Sequence, residues 1–252
     1  MTNVRPSYSL AARSYHARTP YIPAFFKFFA AKLIHCRDTS LLDLGAGPGP
    51  LAAGFAPYVS RAVLLDSDPS MLGEARCRRY ALGCEVTFLE CPIELMPEDA
   101  GDFDLVTIGR ALHWLPREAT LKQLSRHVRA GGHVIVCESG TVAPETPWYP
   151  AFRAARHGTF SGKARDLGRT APAFFSDTDF RNLGERVWRA ENRISVDTLV
   201  ERMFSYSLSG RDKLGDEAAA REAQLRESLA PYETPQGVHE VIYNRALVFR
   251  RI

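Results

Sequence analysis

Three places in the chain carry residues whose types and spacing could do chemistry. Leu41-Leu42-Asp43-Leu44-Gly45-Ala46-Gly47-Pro48-Gly49-Pro50 is a short apolar run that ends in glycines at every second position. It predicts a buried strand and then a tight loop able to press its backbone against a ligand, because glycine has no Cβ and tolerates positive φ. Pro50, followed by Leu51, Ala52 and Ala53, suits the first turn of a helix, where the missing N–H costs nothing. The second place is Asp66, which closes the run Arg61 to Leu65 and offers a carboxylate that can accept both hydroxyls of a ribose. The third is His113-Trp114, just past the run Phe103 to Ile108; an imidazole titrates near neutral pH and is a candidate general base. A histidine packed under the loop fits the same spacing, as does a packed Trp114.

Strand, glycine loop and helix form the nucleotide-binding opening of a doubly wound α/β fold. The dinucleotide fingerprint is G-x-G-x-x-G, whereas this loop reads G-x-G-x-G with prolines at 48 and 50. A glycine turn closing any α/β unit would look alike, so the elements around it must decide.

Those elements alternate. Before the loop, Ser9 to Arg18 predicts a short helix, and Ile22, Phe25, Phe26, Phe29 and Leu33 recur at helical spacing as a core stripe. After it come a helix to about Tyr58, a strand ending at Asp66, a helix opening near Pro69-Ser70 and a strand from Glu85 to Leu89. Phe103 to Ile108 is a nearly continuous apolar run, as expected of a strand covered on both faces. Leu121, Leu124 and Val128 mark a helix expected to stop at Gly131-Gly132, and His133 to Cys137 a fifth strand. This rhythm predicts a mostly parallel sheet. Segment 140–175 is interrupted by Pro144, Pro147, Pro150 and Pro172 and carries Trp148, Tyr149, Phe152, Phe160, Phe174 and Phe175; it reads as an irregular, lid-like insertion or an ordinary surface connection. Val187 to Ile194 alternates as a half-exposed sixth strand, Val196 to Phe204 and Asp212 to Leu229 read as helices, and a last strand lies within Val238 to Phe249.

At 252 residues, with 45% hydrophobic and 24% charged residues, the chain has the composition of a soluble globular protein with one core and insertions. Its net charge of +3 comes from scattered arginines, so no nucleic-acid partner is expected. The five cysteines form no C-x-x-C pair, so neither a metal site nor a disulfide framework is expected and a reducing, cytoplasmic setting is. Met1 to Pro20 lacks the apolar run of a secretory leader, and no segment approaches the length of a membrane span.

Together these motifs resemble the class I, seven-stranded, Rossmann-like S-adenosylmethionine-dependent methyltransferases of small-molecule type. Residues 41–49 are similar to the family's first motif, Val63 to Leu72 to its second, Phe103-Asp104-Leu105-Val106 with Ala111-Leu112-His113-Trp114 to its fourth-strand motif, and Arg126 to Val136 to the approach to strand five. The resemblance covers Ser40 to Ser139 well and the flanks loosely. It implies a doubly wound, mostly parallel seven-stranded sheet with helical cap or lid insertions, as a single domain over 1–252. Within that domain, 1–36 is a helical leader, 37–139 the cofactor-binding core, 140–180 the lid-like insertion, and 181–252 the last strands with inserted helices.

The resemblance further implies S-adenosylmethionine as cofactor, with Gly45, Ala46 and Gly47 at its methionine part and Asp43 near the amino group. Asp66 and Ser67 fall at the ribose, Met71, Ile93 and Glu94 at the adenine, and Arg110 at the edge after strand four. The leader Tyr15-x-x-Arg18-x-Pro20-Tyr21 is similar to a Y-x-x-x-R-P element displaced by one residue, placing Arg18 at the cofactor carboxylate and Tyr15 over the pocket. One departure stands out: Pro92 occupies the position of the adenine-amine acceptor, leaving Glu94 or the backbone to supply it. His113 is the candidate catalytic base, and Trp114, Trp148 and Tyr149 are the candidate acceptor contacts. The implied function is methyl transfer to a small O-, N- or C-nucleophile, a specialised metabolite or a carboxylic acid. A macromolecular acceptor is disfavoured, because no N/D-P-P-Y motif follows strand four and no Pro-Cys pair or basic tract is present; a cyclase on the same fold stays open.

Overall fold

The computed structural model describes residues 11–36, 38–78, 83–157, 166–206 and 209–252. Seven strands form one sheet in the order β3-β2-β1-β4-β5-β7-β6: β1 Ser40–Leu44, β2 Arg61–Asp66, β3 Glu85–Glu90, β4 Phe103–Gly109, β5 Val128–Thr141, β6 Phe180–Ile194 and β7 Val238–Arg251. The pairs β1–β2, β1–β4, β2–β3 and β4–β5 are parallel. The order reverses between β1 and β4, which places the topological switch point, and the ligand crevice of such sheets, at their carboxyl ends. The helices are α1 Ala11–Ser14, α2 Pro23–Leu33, α3 Pro50–Phe55, α4 Pro69–Arg78, α5 Arg117–His127, α6 Tyr149–His157, α7 Leu167–Phe174, α8 Val196–Phe204, α9 Arg211–Leu214 and α10 Glu217–Leu229.

The chain divides into two compact units. One comprises Tyr21–Glu138, Arg165–Trp188 and Asn244–Ile252 and has a core on each face of the sheet. Alternation along the strands sorts the residues: Leu42, Leu44, Val63, Leu65, Val106 and Ile108 join Leu124 of α5 and Ala171 of α7 on one face. Leu41, Ala62, Leu64 and Leu105 join Phe25 and Phe29 of α2, Phe55 of α3 and Leu72 of α4 on the other. The second unit comprises the described parts of Met1–Pro20, Ser139–Ala164 and Arg189–Tyr243. Its core is mainly helical, built from Trp148 and Phe152 of α6, Leu199, Val200, Met203 and Phe204 of α8, and Leu225 and Leu229 of α10.

Four expectations change. The helix read as running to Gly131 ends at His127, because Val128 already pairs with Phe103 of β4. The helix read over Asp212 to Leu229 is two helices, α9 and α10, parted at Gly215, whose φ is +52°. Segment 140–175 is not irregular where described: Pro150 falls in the first turn of α6, where its missing N–H has no partner to lose, and α7 accommodates Pro172 near its end. Of the expected helix at Ser9 to Arg18, the described part is α1 and a 3₁₀ turn over Tyr15–Ala17; Ser9 lies outside the described residues, as does Phe160.

Candidate functional site

The glycine loop joins β1 to α3 at the switch point. Gly45 and Ala46 donate their N–H groups to the carbonyl of Leu65, at 2.8 and 3.0 Å, which fastens the loop to the end of β2. Gly45 has φ +67°, and a Cβ there would stand 2.6 Å from the Cβ of Ala111, so only glycine fits. Gly49 takes the left-handed conformation as the cap of α3, with Pro50 at the first helical position.

Asp66 closes the loop from the other side. Its Oδ2 accepts the Gly47 N–H at 2.8 Å and its Oδ1 the Asp68 N–H at 2.9 Å. Burial raises this carboxyl above the usual range, and the N–H groups of Asp68, Gly47 and Ser67 pull it back. Each carboxylate oxygen still has a second lone pair to offer a hydroxyl. Asp68 in turn accepts the Ser70 N–H at 2.9 Å where α4 begins, which orders the turn carrying the exposed Ser67. Met71, in the first turn of α4, is buried at 4% exposure.

Asp43 lies beneath the loop and is 1% exposed. It is the register partner of Thr107 on β4, whose hydroxyl donates to Oδ1 at 2.7 Å, while the Ala52 N–H of α3 reaches Oδ2 at 3.2 Å. The carboxyl thus ties β1, β4 and α3 together. Burial pushes it up to about 7, against the lowering effect of its two hydrogen bonds. Buried so fully, it acts on a ligand through the loop it holds. The sequence signal for Thr107 is a lone hydroxyl among the apolar residues Leu105, Val106 and Ile108.

Beyond β4 the chain turns sharply. Arg110 has φ +59°, a left-handed backbone that costs a non-glycine residue about 1 kcal/mol or more. Its N–H donates to the Cys137 carbonyl of β5 at 2.9 Å, and its guanidinium lies 5.2 Å from the ring centre of Tyr21. Nothing in the sequence announces this conformation, which recurs where function holds a backbone in strain. A 3₁₀ turn over Leu112–Trp114 follows, with His113 exposed and its ring 4.7 Å from that of Trp114. Ile93, in the 3₁₀ turn after β3, is buried in the core, and the adjacent Glu94 is exposed.

The sheet unit therefore brings Asp43, Gly45, Ala46, Gly47, Asp66 and Ser67 together around one loop, with Arg110, His113 and Trp114 after the neighbouring strand β4. Met71, Ile93 and Glu94 lie in the same unit, whereas Tyr15, Arg18, Trp148 and Tyr149 belong to the helical unit. Tyr15 and Arg18 pack on each other, the guanidinium 5.0 Å from the ring centre. Trp148 is 2% exposed, and its indole N–H donates to the His239 carbonyl at 2.7 Å, so it fills a core. Tyr149 is half-buried and stacks on Phe152, and burial raises its hydroxyl. Among the described residues no group of acidic, histidine or cysteine side chains is arranged to hold a metal ion. No described helix is long and apolar enough to cross a membrane.

Residues 41–132 match the family described as "Methyltransferase domain". The ubiquinone/menaquinone biosynthesis C-methyltransferase UbiE of Rhizobium johnstonii is 33% identical over 108 residues, 40% of this chain and 42% of the relative. The protein of the same description from Cupriavidus taiwanensis is 30% identical over 166 residues, 64% of this chain and 65% of its own length. Among solved structures, a candidate type II methyltransferase of Anaeromyxobacter dehalogenans superposes with TM-score 0.64 at 20% identity, over 93% of this chain and 97% of that one. An S-adenosylmethionine-dependent methyltransferase of Geobacter sulfurreducens, solved with S-adenosyl-L-homocysteine, gives TM-score 0.56 at 16% identity over 97% of both chains. The fold is thus the Rossmann-like one read from the sequence.

Proposed function

We propose that this chain, whose residues 41–132 match the methyltransferase domain family, is a class I enzyme that transfers a methyl group from S-adenosylmethionine to a small-molecule acceptor. The observation that carries the reading is the Asp66 carboxylate clasping the Gly47 N–H at the β1–β4 switch point, where a nucleoside ribose and a peptide-like tail need their partners. The residues present fit that cofactor: a Cβ-free cradle at Gly45, spare lone pairs on Asp66, buried apolar side chains at Met71 and Ile93, Glu94 beside Ile93, and the Arg110 cation at the same edge. When bound, the cofactor supplies a sulfonium methyl, an electrophile needing no further activation.

The protein's part is then orientation. Asp66, with Ser67 beside it, fixes the ribose; Gly45, Ala46 and Gly47 hold the methionine portion; Asp43 keeps the loop in place from below. His113 removes a proton from the acceptor where the nucleophile must lose one, with Trp114 alongside. The named relatives are carbon methyltransferases of quinone biosynthesis, which supports a carbon nucleophile among the acceptors. We place the protein in the cytoplasm, a reading supported by five free cysteines. The test is incubation with methyl-labelled S-adenosylmethionine and metabolite extracts, beside calorimetric titration of S-adenosylmethionine and NAD. Label in a small product and binding of the first cofactor alone are expected; NAD binding without S-adenosylmethionine binding would overturn the proposal.

A further inference from the structure

We propose that Glu138 determines which acceptor is methylated: its carboxyl takes a hydrogen bond from an O–H or N–H group of that molecule and turns carboxylates away. This rests on the methyl-transfer reading above and narrows it to acceptors that carry a donor. Glu138 belongs to the sheet unit, together with the glycine loop, Asp66 and His113. Cys137, the residue before it, is level with Gly109 of β4, and the Cys137 carbonyl accepts the Arg110 N–H at 2.9 Å. Glu138 therefore stands at the carboxyl edge of β5, beside the left-handed turn that leads to His113. Val134 and Val136 join the core that holds Leu112, Leu124 and Ala171, so strand alternation sends Glu138 to that side of the sheet as well.

Its carboxyl is half-buried and makes no hydrogen bond among the described residues. The cation nearest to it is Arg245 of β7, whose Nη1 lies 3.8 Å from Oε1, too far for a hydrogen bond. That arginine is already engaged. Its Nε and Nη2 fork onto Glu185 of β6 at 2.7 and 3.0 Å, and Nη1 donates to Asp166, the cap of α7, at 3.2 Å. Burial raises the Glu138 carboxyl above the usual range and Arg245 pulls it down. Asp166 and Glu185 raise it again, and the Arg110 cation lowers it. Asp43, by contrast, has given its oxygens to Thr107 and Ala52.

A partly desolvated acceptor group without a donor is costly to the fold, and a ligand that brings a donor removes the cost. Carried on a strand at the edge where the cofactor loop lies, Glu138 is positioned to receive one. The surrounding charge sets the sign of the selection. Glu138, Asp166 and Glu185 share Arg245, so an anion arriving there meets repulsion, while a hydroxyl or an ammonium is attracted. An ammonium gains most, because both partners of its hydrogen bond are charged.

The test titrates a matched series of probes, 2-naphthol, 2-naphthylmethylamine, 2-methoxynaphthalene and 2-naphthoate, into the full chain saturated with S-adenosyl-L-homocysteine. The naphthol and the ammonium are expected to bind about tenfold or more tightly than the ether and the carboxylate, the scale of hydrogen bonds to a charged group. Glu138→Leu should erase that preference. Glu138→Gln keeps a carbonyl oxygen, so it should retain part of the preference for the naphthol and lose the discrimination between ammonium and carboxylate. Melting temperature and S-adenosyl-L-homocysteine affinity should hold in both variants, because Glu138 has no short contact to lose. Four probes binding alike or not at all, or a preference undiminished in Glu138→Leu, would overturn the assignment. A lower melting temperature in Glu138→Gln with the preference intact would make Glu138 a structural partner of Arg245 instead. The expected preference with no labelled methyl reaching any small molecule would overturn methyl transfer and leave the donor selection standing. Label transferred by the wild type to naphthoate as readily as to naphthol would sink the Glu138 assignment and leave methyl transfer standing.

Discussion

Exchanging Asp43 for asparagine isolates the electrostatic cost of burying a carboxylate under the glycine loop. Burial raises this carboxyl from its ordinary 3.8 to about 7. A group raised in the fold favours the folded state while it is protonated. Its contribution is therefore complete below about pH 4 and is lost as pH rises through about 7. A displacement of that size corresponds to about 4 kcal/mol, an order-of-magnitude figure. Asparagine keeps an oxygen for the Ala52 N–H, and its amide can donate to the Thr107 hydroxyl, which then turns to accept. The variant should therefore match the wild type at about pH 4 and below, exceed it by about 1–2 kcal/mol at pH 5, and by up to about 4 kcal/mol at pH 8.5. Asp43→Ala, by contrast, orphans two buried donors and should lie about 1–3 kcal/mol below the asparagine variant at every pH. Urea unfolding at half-unit pH intervals, with constant m-values, measures all three proteins. A wild type and Asn variant whose stabilities differ by the same amount at pH 5 and pH 8.5 would refute a raised Asp43.

Asp66→Ala should weaken S-adenosylmethionine binding by about 1–3 kcal/mol, read by calorimetry, through loss of both the ribose acceptor and the Gly47 clasp; unchanged affinity removes Asp66 from the site. Gly45→Ala forces a left-handed residue, about 1–2 kcal/mol, and a 2.6 Å contact with Ala111, so its melting temperature should fall; an unaltered melt would mean the loop can shift freely. His113→Ala and His113→Gln should slow single-turnover methyl transfer by about 10²–10⁴-fold with cofactor affinity nearly intact; near-normal rates in both folded variants would leave catalysis to orientation. Arg202→Met leaves Glu240 buried without its cation and should cost about 3–5 kcal/mol in urea unfolding, most of it recovered in the double variant Arg202→Met, Glu240→Leu. Additive losses in the double variant would show that the two side chains stabilise the unit independently.

The parts of the fold that could be read from the sequence are those whose cause is local. β1, β2 and β4 are apolar runs bounded by turn residues, and the structure extends or trims each by a residue or so. Helix ends misled where a glycine competed with a pairing partner. Gly131 looks like a stop, yet Val128 had already joined Phe103 across the sheet. Gly215 falls inside the helix expected over Asp212 to Leu229, and its positive φ divides that helix. The prolines of segment 140–175 suggested disruption because position decides their effect. In a first helical turn a proline is harmless, and only a known helix start reveals that.

The site shows the same division. Asp43, the glycines and Asp66 lie within 26 residues of Leu41, so their mutual geometry follows from one strand–loop–helix–strand unit and could be read off the spacing. Arg110 could not, because its left-handed backbone is imposed by a hydrogen bond to the Cys137 carbonyl on the next strand, and arginine carries no preference for that conformation. The helical unit is further removed still. Arg202 Nε donates to the Ala17 carbonyl, 185 residues away in sequence, and the Arg18 guanidinium reaches Ser205 across 187. Along the chain Arg202 is a basic residue late in an amphipathic helix, where a solvated position is the ordinary expectation. The fold instead buries it against Glu240, which also accepts from Asn192 at 2.7 Å, so its charge is consumed by structure. Arg18 and Arg156 reach the Tyr206 ring from elements far apart in sequence, a juxtaposition that only the folded chain shows.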